Sequence, residues 1–164
     1  MISLIAKIVA HFRVSKIQKT YTKAIKIQDD TLLRLIKKAA NTKFGRDHKF
    51  TTISNHEDFK NMVPIRDYES IKKYVKDIQK GKENILWPGK PKYLAKTSGT
   101  TSGVKLIPIT KESLPFHINS SRDAILFYIK QTGDSGFLNG KNIFIQGSPV
   151  LKQSNGIFIG RLSG

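Results

Sequence analysis

The chain has 164 residues, 38% of them hydrophobic, and its 29 Lys+Arg against 12 Asp+Glu give a formal charge of +17. That length and composition suit one soluble domain with a real core, and the absence of cysteine excludes both a disulfide framework and a thiolate metal site. The charge raises nucleic acid or an anionic membrane as partner. However, the lysines are scattered and heavily outnumber arginine, as on a solvated basic surface and unlike bidentate phosphate or base readers, and no aromatic-interleaved basic platform is present.

Residues 1–28 place Ile5, Ile8, Val9, Phe12, Ile17, Tyr21, Ala24 and Ile25 at near-helical spacing with lysines between them. The spacing predicts a basic amphipathic helix whose apolar side packs on the rest of the domain. Lys7 interrupts the first apolar run, and positive charges follow it instead of preceding it, unlike a signal peptide. No stretch approaches the ~18–20 apolar residues of a membrane span. Asp29 and Asp30 precede an apolar-periodic run ending in lysines, which predicts a helix over 31–40 with the charges matched to its dipole. Residues 41–50 read as a polar turn containing Gly45. The run Ser54-Asn55-His56-Glu57 predicts a capping box and a helix through Met62, with His56 as exposed polar filler. Asp67 then caps a helix over 67–80 whose inner face is Tyr68, Ile71, Tyr74, Val75 and Ile78, closed by Gly81. Trp87-Pro88-Gly89 forms a turn with an aromatic anchor.

Residues 93–110 read YLAKTSGTTSGVKLIPIT and organise the chain. Two β-like segments flank seven consecutive residues, Thr97 to Gly103, that are all Gly, Ser or Thr. Glycines let consecutive N–H groups converge on an anion, and the hydroxyls and the Lys105 ammonium add donors suited to phosphate oxygens. A Ser/Thr-rich turn that binds nothing is the plain alternative. A Walker loop does not fit, because Lys105 is not adjacent to Gly103 and a strand follows in place of a helix. Beyond the loop, a helix is expected from Thr110 or Ser113 to about 131, with Leu114, Ile118, Ile125, Phe127 and Ile129 as its apolar members. The Asn119-Ser120-Ser121 sequon on that helix is discounted. Residues 143–145 and 157–159 read as short buried strands around a turn at 147–156. Without a repeat or linker, residues 1–164 count as a single domain, with α/β and α+β both open from the pattern alone.

The loop 97–105, TSGTTSGVK, resembles the signature loop of the adenylate-forming superfamily that includes acyl-CoA synthetases and luciferase. The segments 63–69 (VPIRDYE), 71–74 (IKKY), 81–88 (GKENILWP) and 41–45 (NTKFG), with the exit 106–108 (LIP), resemble the N-terminal part of a narrower group. That group is the Gretchen Hagen family of auxin-responsive acyl-acid amido synthetases and their bacterial relatives. Many of its members carry one more residue between the end of the loop and its lysine. The likeness covers residues 30–164. It implies an α/β fold, specifically an incomplete N-terminal part of an adenylate-forming large domain.

The resemblance further implies an enzyme that uses ATP and Mg2+ to adenylate a carboxylic acid and then transfers the acyl group to an amine such as an amino acid. Ser98, Gly99, Thr100, Thr101, Ser102 and Gly103 would bind the cofactor and Lys105 would act in catalysis. Of the acids beyond the loop, Asp123 and Asp134 fall on or just after the helix, and the dipole explains Glu112. Metal and ribose ligands are therefore expected outside this chain, in a C-terminal part of the same enzyme. The run ending at Gly164 looks cut, and the chain alone is expected to be inactive. A cytoplasmic protein with no nucleic-acid partner follows, the alternative being a non-catalytic basic module on nucleic acid or an anionic membrane.

Overall fold

In the computed structural model, residues 2–97, 104–141, 143, 148, 150 to 161 are described. Strand β1 (Tyr93–Lys96) runs antiparallel to β2 (Leu106–Ile109) and parallel to β4 (Ile157–Arg161), while β3 (Lys152–Ser154) pairs antiparallel with β4. The order β2-β1-β4-β3 leaves β1 and β4 central, and these two carry the buried Leu94, Ala95, Ile157 and Gly160. Mixed strands with helices make the fold α/β. Asn155 and Gly156, both with positive φ (51° and 76°), close the β3–β4 hairpin as the tight turn that Asn-Gly favours.

The second expected strand is therefore present at 157–161, but its antiparallel partner is the neighbouring 152–154. Ile143 is exposed and lies in no strand, and Phe144 and Ile145 lie outside the described residues.

Contacts divide the chain into two compact units, Met1–Ala24 with Glu112–Ile145, and Ile25–Lys111 with Gln146–Gly164. The second unit holds the sheet. Its helix α2 (Ala24–Ala39) starts a full turn and more before Asp29, so Asp29 and Asp30 sit in the helix body and not at its positive end. The apolar register begins earlier than the acidic pair suggests, because Ala24 and Ile25 already have helical geometry after the 3-10 turn Tyr21–Lys23. Ile36 and Ala39 on α2 pack with Phe50 and Ile53.

The supposed polar turn at 41–50 is a folded knot. Thr42 is buried and caps the short helix α3 (Lys43–Asp47): its hydroxyl accepts from Gly45 N at 3.0 Å and donates to the Ala39 carbonyl at 2.7 Å. Phe44 contacts both the α2 cluster and the sheet cluster of Tyr74, Ile78, Ile85, Leu94 and Ile157. Its ring meets Tyr74 and Phe50 edge-on, at centroid distances of 5.2 and 5.8 Å. The buried His48 stacks on Phe44 at 4.0 Å and bonds the Phe44 carbonyl through Nδ1.

Helix α4 (His56–Met62) has Asn55 as its cap, one residue later than the box reading placed it. The Asn55 side chain accepts from Asp58 N at 2.9 Å, and the Asp58 carboxylate reaches back to Ser54 N, also at 2.9 Å. Asp58 supplies the reciprocal contact more directly than Glu57, whose carboxylate pairs with Lys60. His56 is exposed as expected. Helix α5 (Tyr68–Gln79) is capped by Asp67 and buries Tyr74, Val75 and Ile78. Gly81, at φ +83°, ends it: Gly81 N bonds Ile78 O and Lys82 N bonds Asp77 O, the paired closure of a left-handed C-terminal cap.

In the first unit, α1 (Ile2–Gln18) lies along α6 (Leu114–Thr132). Here the expected inner face is reversed. Ile5, Ile8, Val9 and Phe12 are exposed, Phe12 by 70%, while Ala10 and Val14 are buried with Leu126 and Ile129 of α6. Ala6 and Ala10, one helical turn apart, pack in the cluster with Leu126 and Ile129. Arg13 then forks onto Asp123 (2.9 and 2.7 Å), and Lys130 bonds Ser15 and Gln18.

Two stability outcomes follow from the sheet unit. A methyl on Gly45 would fall inside contact distance of the Ala39 carbonyl oxygen and 2.8 Å from that of Ala40, both backbone atoms that cannot swing away. Gly45→Ala should therefore lower the unfolding free energy by about 1–3 kcal/mol in urea denaturation, and an unchanged midpoint would refute the close approach. Hydrogen bonds from Lys43 (2.7 Å) and Lys82 (2.9 Å) hold the Asp77 carboxyl at about 2, below its ordinary 3.8. A depressed folded-state value means the stabilisation is complete above about pH 4 and fades as pH falls through about 2. Asp77→Asn should be less stable than the parent at neutral pH and show a shallower loss between pH 4 and 2, measured by acid titration of the circular dichroism.

Candidate functional site

The strands β1 and β2 meet in register from Tyr93↔Ile109 to Lys96↔Leu106, so the chain between them leaves and re-enters the sheet at one end. At that end the pairing continues one step past the ladder. Thr97 N donates to the Lys105 carbonyl at 3.0 Å, and Lys105 N donates to the Thr97 hydroxyl at 3.3 Å. Thr97 and Lys105 thus form the neck of the Gly/Ser/Thr loop. Ser98, Gly99, Thr100, Thr101, Ser102 and Gly103, expected to bind the cofactor, lie outside the described residues.

Lys105 is half-buried, and its ammonium lies 5.7 Å from the centroid of the Tyr68 ring. Tyr68 stands at the start of α5 because Asp67 precedes it in extended geometry and caps the helix, accepting from Ser70 N at 2.8 Å. The Tyr68 hydroxyl accepts from Leu106 N at 2.9 Å and donates to the Leu106 carbonyl at 3.4 Å. The hydrogen bonds from Ser70 hold the Asp67 carboxyl below the usual range, and the charge of Lys105 adds a smaller push in the same direction. The neck therefore gathers Thr97, Lys105, Tyr68 and Asp67.

Sequence reasoning assigned Tyr68 to the buried face of its helix and missed its link to the loop. The available signal was its position directly after the cap, where a side chain points past the helix start.

Several carboxylates have structural partners. Asp77 is held by two lysines, Asp47 accepts from the Tyr74 hydroxyl at 2.7 Å, and Arg13 holds the Asp123 carboxyl below its usual range. Among the described residues no group of three or more His, Asp or Glu is placed to hold a metal ion. A groove lined by Asp29, Leu33, His56 and Glu57, among others, shares no residue with the neck. No helix among the described residues is long and apolar enough to cross a membrane.

The model of the GH3 family N-terminal domain matches residues 13–164. The chain belongs to the GH3 family. It is 33% identical over 150 residues to the indole-3-acetic acid-amido synthetase GH3.15 of Arabidopsis thaliana, an alignment covering 89% of this chain and 24% of that protein. It is 27% identical over 138 residues to the jasmonoyl–L-amino acid synthetase JAR6 of Nicotiana attenuata, covering 82% and 23%. Its fold superposes on a solved GH3.15 acyl acid amido synthetase with a TM-score of 0.79 at 25% identity, over 91% of this chain and 27% of that one. The same enzyme in complex with 2,4-DB gives 0.76 at 26% identity. The chain thus spans about a quarter of the length of the GH3 relatives it matches. The family resemblance seen in the motifs and the α/β, N-terminal character of the fold are both borne out.

Proposed function

We propose that this chain is the N-terminal portion, a single incomplete domain, of an ATP-dependent acyl-acid amido synthetase. The supporting observation is the antiparallel pair β1–β2, which brings Thr97 and Lys105 together at the mouth of a Gly/Ser/Thr loop in a chain of the GH3 family. The donor set suits a polyphosphate. It offers hydroxyls and main-chain N–H groups at 98–103, with Gly99 and Gly103 permitting close approach and a lysine at the exit.

Adenylation turns a carboxylate oxygen into a good leaving group, after which an amine, such as that of an amino acid, attacks the acyl carbon. The loop would hold the β- and γ-phosphates of ATP, and Lys105 would oppose the charge that develops on departing pyrophosphate. Mg2+ would screen the same charge, with its ligands supplied by the rest of the enzyme. The acid and amine pockets belong there too. A cysteine-free chain supports a cytoplasmic setting. A framed Gly/Ser/Thr loop is not needed for nucleic-acid binding, so charge alone does not carry the basic-module alternative.

The test is carboxylate-dependent ATP–pyrophosphate exchange. The 164-residue chain alone should give none. In the full-length enzyme, Lys105→Ala removes a charged hydrogen bond worth about 1.5–3 kcal/mol, a loss of roughly 10- to 150-fold in rate. Lys92→Ala, whose side chain is exposed and outside the neck, should remain near the parent. Equal turnover and equal ATP dependence in the two variants would reduce the loop to a structural turn.

A further inference from the structure

We infer that Tyr68 is the positioning residue of the phosphate loop: it fixes the exit of the loop and seats the Lys105 ammonium for a polyphosphate. The inference rests on the phosphate-binding reading above and names the residue on which that reading depends.

Among the described residues, strand β2 is paired on one side only, and Leu106 is its first residue. An edge position at the end of a ladder would ordinarily fray, since one flank has no neighbouring strand. Here a single hydroxyl engages both main-chain polar groups of Leu106, accepting from its N–H and donating to its carbonyl. The residue immediately after Lys105 is thus tied to helix α5. On its other side, Lys105 is tied to Thr97, directly after β1: its carbonyl accepts from Thr97 N and its N–H donates to the Thr97 hydroxyl. The backbone of Lys105 is therefore held from two directions, leaving its four-carbon side chain as the main freedom.

The same tyrosine constrains that freedom as well. Its ring face stands 5.7 Å from Nζ, a cation–π contact that gives the ammonium a preferred seat without using up its hydrogen-bond donors. A carboxylate in that place would neutralise the charge and compete with phosphate. Asp67, the cap that precedes α5, has its Oδ1 bonded by both the main-chain N–H and the hydroxyl of Ser70. Helix α5 itself is immobilised far from the loop, by Tyr74 in the core and by Asp77 on its two lysines. A tyrosine whose only task was to fill the core would not need the double bond to Leu106.

The experiment uses the 164-residue chain with its lysines 13C-dimethylated, the Lys105 resonance assigned through Lys105→Arg, and inorganic pyrophosphate as the probe. Lys92 reports the nonspecific attraction expected of a chain at +17. In the parent, the Lys105 signal should carry a ring-current displacement and respond to lower pyrophosphate concentrations than Lys92. Tyr68→Phe keeps the ring and loses the hydroxyl, so the displacement should persist while the apparent affinity at Lys105 falls about two- to tenfold. Tyr68→Leu should abolish the displacement and weaken binding a further two- to fivefold, approximately.

If both variants titrate like the parent at Lys105, the positioning role is overturned while phosphate binding stands. If Lys105 of the parent responds no better than Lys92, the phosphate reading fails and this inference with it. Tyr68→Phe, which changes only one oxygen, decides the matter even if Tyr68→Leu unfolds.

Discussion

The backbone at residues 42–45 has to pass within contact distance of the last carbonyls of α2, and only a glycine at position 45 permits it. Much of the sheet-bearing unit depends on that passage. Once Thr42 has capped α3 and Gly45 has let the turn close, Phe44 is driven inward, where it joins the α2 cluster to the cluster under the sheet. Lys43, the next residue back, reaches Asp77 on α5, while the Lys43 and Phe44 amides bond the carbonyls of Asn84 and Ile85. Four consecutive residues thereby fix a helix end, a second helix and the approach to β1.

Helix α5 passes this constraint on to the loop. Its middle is anchored by Tyr74, whose burial raises the phenol pKa, with the bond to Asp47 acting in the same direction. Its start carries Tyr68 to the first residue of β2. A phosphate site gains when donors are held before the ligand arrives, because less ordering remains to oppose binding. In the neck formed by Thr97, Lys105 and Leu106, Thr97 N bonds the Lys105 carbonyl, Lys105 N bonds the Thr97 hydroxyl, and both main-chain groups of Leu106 meet Tyr68. A solved GH3.15 acyl acid amido synthetase shares this fold over 91% of the chain.

The α1–α6 unit illustrates a different balance. Close approach over small side chains, reinforced by the Arg13–Asp123 fork, wins over burial of the larger Ile5, Ile8 and Phe12. Two forked charge-assisted bonds and tight van der Waals contact along Ala6, Ala10 and Val14 specify that register. The large apolar residues are left on the outer surface of the unit, as are Phe116 and Ile118 of α6.

Local rules were enough wherever the interaction was local. Asp67 as a cap, Gly81 as a helix stop, the inner face of α5 and the two strands bracketing the Gly/Ser/Thr stretch were all legible, because each depends on neighbours within a few residues. The family motifs were legible for the same reason, being contiguous. The sequence by itself could not show that α1 turns its alanines inward, since the decision depends on Asp123, 110 residues away. Nor could it show that the polar-looking 41–50 segment is a buried knot, because its partners Asp77 and Ile85 come from elsewhere in the chain. Tyr68 followed the helical period and was placed with the core. Only tertiary structure brought Leu106 and Lys105, 38 and 37 positions later, against its hydroxyl and ring, and so turned a core residue into part of the site.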